Sequence, residues 1–130
     1  MQTKKVLLIE DNDGDIELTK LTSDDCQTKN TLHVIKDGLV ALNYLLKRDP
    51  YKDSQTHDLV LLDIKLPSKN GFEIPKELRA NTALNNLKVI MLTTGDSVES
   101  FEENYQVKAN DYLEKPILLD KLDQCLSSLN

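Results

Sequence analysis

The stretch DLVLLD, residues 58–63, constrains the fold of this chain more than any other feature. Its four central residues are all apolar, and an aspartate stands at each end, Asp58 and Asp63. A short apolar run without alternation is typical of a strand buried on both faces, as strands are in parallel sheets. A charged side chain at the end of such a strand needs a physical reason, because burial of a charge is costly.

Similar apolar runs and helical patterns alternate along the chain. The other apolar runs cover residues 4 or 5–10, 32–35, 87–93 and 111–114. Helical periodicity appears at residues 14–24, 38–48 and 118–129. Strands that alternate with helices need crossover connections, which give a parallel sheet covered on both faces. We therefore predict one doubly wound α/β domain over residues 1–130, with five strands and five helices.

The charge balance limits the classes of partner. The 130 residues include 22 acidic and 16 basic side chains, for a net charge of −6. Nucleic-acid binding needs a basic face, so we expect no direct nucleic-acid partner. The sequence has no apolar run of the length of a signal peptide core or a membrane span. We expect a cytoplasmic protein without membrane insertion.

The two cysteines, Cys26 and Cys125, lack the spacing of metal ligands and lie in helical patterns. We predict that both are reduced thiols without a chemical role.

Polar side chains follow four of the five predicted strands. They are Glu10 and Asp11 after the first, Asp63 after the third, Thr93 after the fourth and Lys115 after the fifth. Ligands of open parallel sheets bind beyond the carboxyl ends of the strands, so these side chains should share one edge. Three neighbouring carboxylates repel one another unless a cation intervenes, and oxygen ligands alone favour a hard ion such as Mg²⁺.

Taken singly, these residues have structural explanations as a helix cap, a strand residue or a solvated charge. Taken together, they suit phosphoryl transfer. A carboxylate such as Asp63 can attack phosphorus to give an acyl phosphate. Mg²⁺ and Lys115 would balance the developing charge, and Thr93 would donate a hydrogen bond. We therefore predict that Asp63 accepts a phosphoryl group.

With these residues in place, the sequence resembles a response-regulator receiver domain, the phospho-accepting module of two-component signalling. The resemblance covers essentially all 130 residues and is carried by LLIEDN, LVLLDIKLPSKNG, MLTTG and DYLEKP. It implies a flavodoxin-like strand order, 2-1-3-4-5. It matches Asp63 to the phosphorylated aspartate, Glu10 and Asp11 to the acidic pair at the metal, and Lys115 to the family's lysine. It also implies that the backbone carbonyl of Lys65 completes the metal shell.

The resemblance further implies a switch and a set of partners. Thr93 matches the hydroxyl that turns toward the phosphoryl group, and Tyr112 matches the aromatic residue that repacks with it. The surface formed by the fourth helix, the fifth strand and the fifth helix would then change. The implied partners are a histidine kinase or histidine phosphotransfer protein and a downstream protein target. We expect a monomer or weak homodimer, and a single-domain regulator rather than a turnover enzyme.

The segment EDNDGD, residues 10–15, carries a narrower resemblance. Asn12 and Asp15 around the acidic pair are similar to a subgroup of mostly stand-alone receivers, some of which are paired with phytochrome-type kinases. The structural alternative is helix capping, since Asn and acidic residues are favoured at a helix N-terminus.

Several positions depart from the family pattern. Lys65 and Gly95 stand where residues tune the lifetime of the phosphoryl group, and they predict slow self-dephosphorylation. Pro75 stands where the third helix should already have begun, so we expect this helix to start near residues 73–75 or to be distorted there. Asn70 replaces a common aspartate before Gly71, in a turn that Asn also suits.

Other functions are compatible with parts of this sequence. A receiver-like binding module that works without phosphate is the main alternative. An aspartate-based phosphatase is disfavoured because Lys65 stands where such enzymes carry a second aspartate. A flavin site is disfavoured because the acidic segment 10–15 would repel a flavin phosphate. The sequence leaves open whether the output is protein binding or a further phosphoryl relay.

Overall fold

A computed structural model describes residues 3–53, 57–63, 87–93 and 111–129. Its five strands are β1 (Lys4–Ile9), β2 (Asn30–Ile35), β3 (Leu59–Asp63), β4 (Lys88–Thr93) and β5 (Asp111–Glu114). They form one sheet in the order β2-β1-β3-β4-β5, and every pairing is parallel. The predicted parallel sheet and its strand order are confirmed.

Three helices lie within the described residues: α1 (Asp13–Asp25), α2 (Gly38–Leu45) and α3 (Leu119–Ser127). They match the predicted first, second and fifth helices. The predicted third and fourth helices fall outside the described residues, as do the positions Lys65, Asn70, Pro75 and Gly95. None of the described helices has both the length and the apolar character needed to cross a bilayer.

The two faces of the sheet pack against different helices. One face packs against α2 through residues such as Leu42, and the other packs against α1 and α3 through Ile16 and Leu126. Strand β3 contributes to both, since Leu61 and Leu62 are fully buried on opposite faces. Burial of each such leucine contributes about 2 kcal/mol. The central strands therefore hold their carboxyl ends in fixed positions.

Helix α2 ends at Leu45, so the predicted end at residue 48 was wrong. Lys47 adopts a left-handed conformation with φ 56°. The Lys47 amide then donates to the Tyr44 carbonyl at 3.2 Å, and the Arg48 amide donates to the Asn43 carbonyl at 2.9 Å. This pair of hydrogen bonds satisfies the last carbonyls of the helix and ends it.

Cys26 is half-buried after α1, and Cys125 is buried in α3. Neither forms a disulfide. The prediction that both are free thiols is confirmed.

Candidate functional site at the carboxyl edge of the sheet

The ends of β1, β3 and β5 bring Glu10, Asp63 and Lys115 together. The Lys115 ammonium donates to Glu10 Oε1 at 2.5 Å and lies 3.4 Å from Asp63 Oδ2. Its backbone is fixed because the Lys115 amide donates to the Thr93 carbonyl at 2.7 Å, which continues the β4–β5 ladder. The predicted convergence of these side chains at one edge is therefore what the fold produces.

Glu10 is held from several directions. Its backbone amide donates to the Ile35 carbonyl at 3.2 Å, which continues the β1–β2 ladder. Its second carboxylate oxygen accepts hydrogen bonds from the amides of Asp11 at 3.2 Å and Asn12 at 3.3 Å. Only 1% of Glu10 is exposed. One oxygen thus serves the backbone of the β1–α1 corner while the other faces Lys115.

Glu10, Asp11 and Asp63 form a group of carboxylates that can hold a cation. One oxygen from each lies within 4.8 Å of the others. Glu10 and Asp63 are buried, whereas Asp11 is exposed and open to an entering ion. Carboxylate oxygens suit hard divalent ions such as Mg²⁺ or Mn²⁺, so these residues fit the predicted metal.

The closeness of the acids to one another and their burial shift the pKa values of the site. Burial raises the pKa of Glu10 to about 7, and nearby Asp63 adds to the rise although the hydrogen bond with Lys115 opposes it. Burial acts to lower the pKa of Lys115, but its hydrogen bonds to Glu10 and Asp15 and the charge of Asp63 outweigh burial and raise it. Lys115 therefore stays charged, and a bound cation would relieve the crowding among the acids.

The two predicted switch residues lie on neighbouring strands. Thr93 ends β4 and is 3% exposed. Tyr112 in β5 is opposite Met91 and packs against the same core as α2. Because side chains alternate along a strand, Thr93 lies on the same face as Met91, and therefore as Tyr112. The structure thus places this hydroxyl and this aromatic ring on one face beside the site.

Asp15 is a site residue whose contact the sequence analysis missed. Asn12 caps α1 by accepting a hydrogen bond from the Asp15 amide at 2.9 Å, which confirms the capping interpretation for Asn12. The Asp15 carboxylate, however, accepts a hydrogen bond from Lys115 at 3.1 Å. The sequence carries no signal for this contact, because Asp11 and the cap residue Asn12 precede the helix and Asp15 has the pattern of an ordinary acid in a first helical turn.

Comparisons with known proteins agree with this geometry. The response regulator receiver domain family matches residues 6–127. Response regulator Rcp1 of Synechocystis sp. is 32% identical over 112 residues, which are 86% of this chain and 76% of Rcp1.

Solved structures of relatives have the same fold. The Mn²⁺-bound form of Rcp1 superposes with a TM-score of 0.78 at 31% identity, covering 95% of this chain and 88% of that one. The phosphorylated cyanobacterial phytochrome response regulator RcpA superposes with a TM-score of 0.80 at 30% identity, covering 96% of this chain and 89% of that one. The chain therefore belongs to the response regulator receiver domain family, where it is similar to phytochrome-associated response regulators.

Proposed function

We propose that this chain is a response regulator whose Asp63 accepts a phosphoryl group from a phosphohistidine of a histidine kinase or histidine phosphotransfer protein. One observation carries the proposal: Asp63 ends a buried strand beside Lys115 and within a group of three carboxylates. Membership of the receiver family supports it.

The transfer follows from the groups at this edge. A carboxylate oxygen of Asp63 forms a bond to phosphorus as the phosphorus–nitrogen bond of the donor breaks, and the released imidazole takes up a proton. The Lys115 ammonium, 3.4 Å from Asp63 Oδ2, is placed to balance charge on the phosphoryl oxygens. The Thr93 hydroxyl, at the end of the next strand, is the proposed hydrogen-bond donor.

We assign Mg²⁺ as the cofactor, held by Glu10, Asp11 and Asp63 and, by resemblance, by the backbone carbonyl of Lys65. When bound, Mg²⁺ supplies positive charge that neutralises the phosphoryl oxygens. The Mn²⁺-bound form of Rcp1 supports a divalent cation, and phosphorylated RcpA supports phosphoryl transfer as the activity.

The output is a changed surface. Phosphorylation adds about 1.5 to 2 negative charges beside Lys115 and Thr93. Thr93 moves toward these charges and Tyr112 repacks, which alters the surface around β5 and α3. This surface binds a downstream protein or presents the phosphoryl group to a further carrier. Lys65 and Gly95 make loss of the phosphoryl group slow, over minutes rather than seconds.

Intact-mass analysis after incubation with acetyl phosphate and Mg²⁺ tests the proposal. We expect a gain of one phosphoryl mass in the parent, and no gain in Asp63→Asn. Asp58→Asn is a matched control, because it changes the aspartate at the other end of the same run and should be phosphorylated like the parent. No gain in the folded parent would overturn the proposal and favour a binding module that works without phosphate.

A further inference from the structure

We infer that Asp15 is a positioning residue that holds Lys115 beside Asp63; this inference rests on the proposed function and deepens it. Three carboxylates face the single Lys115 ammonium, at 2.5 Å for Glu10, 3.1 Å for Asp15 and 3.4 Å for Asp63. The contacts to Glu10 and Asp15 are hydrogen bonds, and Asp63 lies at ion-pair distance. An ammonium has three N–H groups, so two anchors leave a third for the acceptor.

Asp15 is itself fixed in place. Its amide donates to the side chain of the cap residue Asn12 at 2.9 Å, and its carbonyl accepts a hydrogen bond from the Thr19 hydroxyl at 2.8 Å. Thr19 is itself buried, with 6% of the residue exposed. The carboxylate of Asp15 therefore projects from a rigid first turn of α1, with its side chain 38% exposed.

The two anchors of Lys115 differ in their other duties. Glu10 belongs to the group of carboxylates that fits a metal ion, so its oxygens are shared between the lysine and any bound cation. Asp15 lies outside that group, and its contact with Lys115 does not compete with the metal. Asp15 can thus keep the ammonium near Asp63 whichever partner Glu10 serves.

A purely structural role for Asp15 gives a different expectation. An acid in the first turn stabilises a helix through its dipole, and Asp13 is in the same turn. The Asp13 carboxylate pairs with Lys36 at 2.6 Å instead. Asp13→Asn removes the same charge from the same turn without touching Lys115, which makes it the matched control.

The test compares Asp15→Asn, Asp13→Asn and Asp15→Glu by their rates of phosphorylation with acetyl phosphate and Mg²⁺. We expect Asp15→Asn to react about tenfold more slowly, since small misplacement of a reacting group is costly. Asp13→Asn should keep the parental rate, and Asp15→Glu should recover most of it. A second readout needs no metal: hydrogen exchange of the Lys115 ammonium protons, measured by ¹⁵N NMR, should be faster in Asp15→Asn alone.

The outcomes separate this inference from the proposed function. A parental rate and parental Lys115 exchange in Asp15→Asn would overturn the inference while the phosphorylated parent upholds the proposed function. Equal slowing in Asp15→Asn and Asp13→Asn would also overturn it, because the effect would belong to the helix. A parent that gains no phosphoryl group would overturn the proposed function, and the inference with it.

Discussion

The aspartates at the two ends of the run 58–63 have different surroundings. Asp58 is exposed, accepts the Lys5 amide at 2.8 Å, and donates its own amide to the Lys5 carbonyl at 2.8 Å. Asp63 is 7% exposed and faces Lys115, which two other carboxylates share. Asp58 accepts a backbone hydrogen bond that stabilises the fold, whereas the carboxylates around Lys115 form the site at which we propose phosphoryl transfer.

The same contrast holds between the two edges of the sheet. At the amino edge, hydrogen bonds from the backbone amides of Thr28 and Gln27 lower the pKa of Asp123. At the carboxyl edge, burial raises the pKa of Glu10 to about 7. Backbone hydrogen bonds therefore stabilise the exposed Asp123 as an anion, whereas at Glu10 burial outweighs the two backbone amides that also donate to it.

The largest expected effect on stability comes from removing the Lys115 ammonium, which three carboxylates share. Lys115→Met leaves buried Glu10 facing Asp63 and Asp15, so we expect the free energy of unfolding without metal at pH 8 to fall by about 2 kcal/mol. Lys36→Met is the control, since its pair with Asp13 is exposed to solvent and its loss should cost much less. Urea denaturation measures both, and equal losses would show that the buried group around Lys115 matters no more to stability than an exposed ion pair.

Added Mg²⁺ should raise the free energy of unfolding by binding at the carboxyl edge. A ligand that binds only the folded state at ten times its Kd adds about 1.4 kcal/mol to the free energy of unfolding. We expect this gain in the parent and in Asp58→Ala, and its loss in Asp11→Asn. Thermal unfolding with and without Mg²⁺ measures it, and a gain retained by Asp11→Asn would place the ion elsewhere.

Substitutions of the aspartates at the two ends of the run 58–63 should change the free energy of unfolding in opposite directions. Asp58→Ala removes the acceptor of the Lys5 amide and should cost about 1 kcal/mol. Asp63→Asn removes one charge from the crowded acids and should stabilise the metal-free protein at pH 8, by about 1 kcal/mol. Equilibrium unfolding in urea compares them, and a loss of stability in both would show that repulsion does not dominate at the carboxyl edge.

The smallest effect concerns Cys26, near the amino edge. Burial raises the pKa of its thiol to about 11, and the charges of Asp123 and Asp25 add to the rise. Because the neutral thiol persists to higher pH, alkylation by iodoacetamide should be slow at pH 8 and increase until about pH 11. Rates measured in Cys125→Ala, which leaves one thiol, check this, and a midpoint near the ordinary pKa of 9.0 would contradict it.

Much of the fold was predictable because hydrophobic burial dominates it. The run at residues 58–63 marked β3 to within one residue. The edge strand β2 begins at Asn30, whereas the predicted start was residue 32. The prediction missed the first two residues because they are polar and give no apolar signal. The end of α2 was missed because a left-handed lysine has no sequence signal.

The candidate site was predictable to the extent that topology alone gathers it. Parallel strands end at one edge, so Glu10, Asp63 and Lys115 had to meet there once the strands were identified. The contact between Asp15 and Lys115 depends on how the first turn of α1 is fixed by its cap and on side-chain rotamers. The spacing of residues along a helix predicts which face a side chain occupies, but it does not predict which residue of another element that side chain contacts.

The measurement that tests the central claim most directly is the identity of the phosphorylated residue. After reaction with acetyl phosphate and Mg²⁺, sodium borohydride reduces an aspartyl phosphate to homoserine, which tandem mass spectrometry locates. We predict homoserine at position 63 and unmodified aspartate at position 58, at the other end of the same run. Homoserine at any other position, or none in a protein that has gained the phosphoryl mass, would contradict the assignment of Asp63.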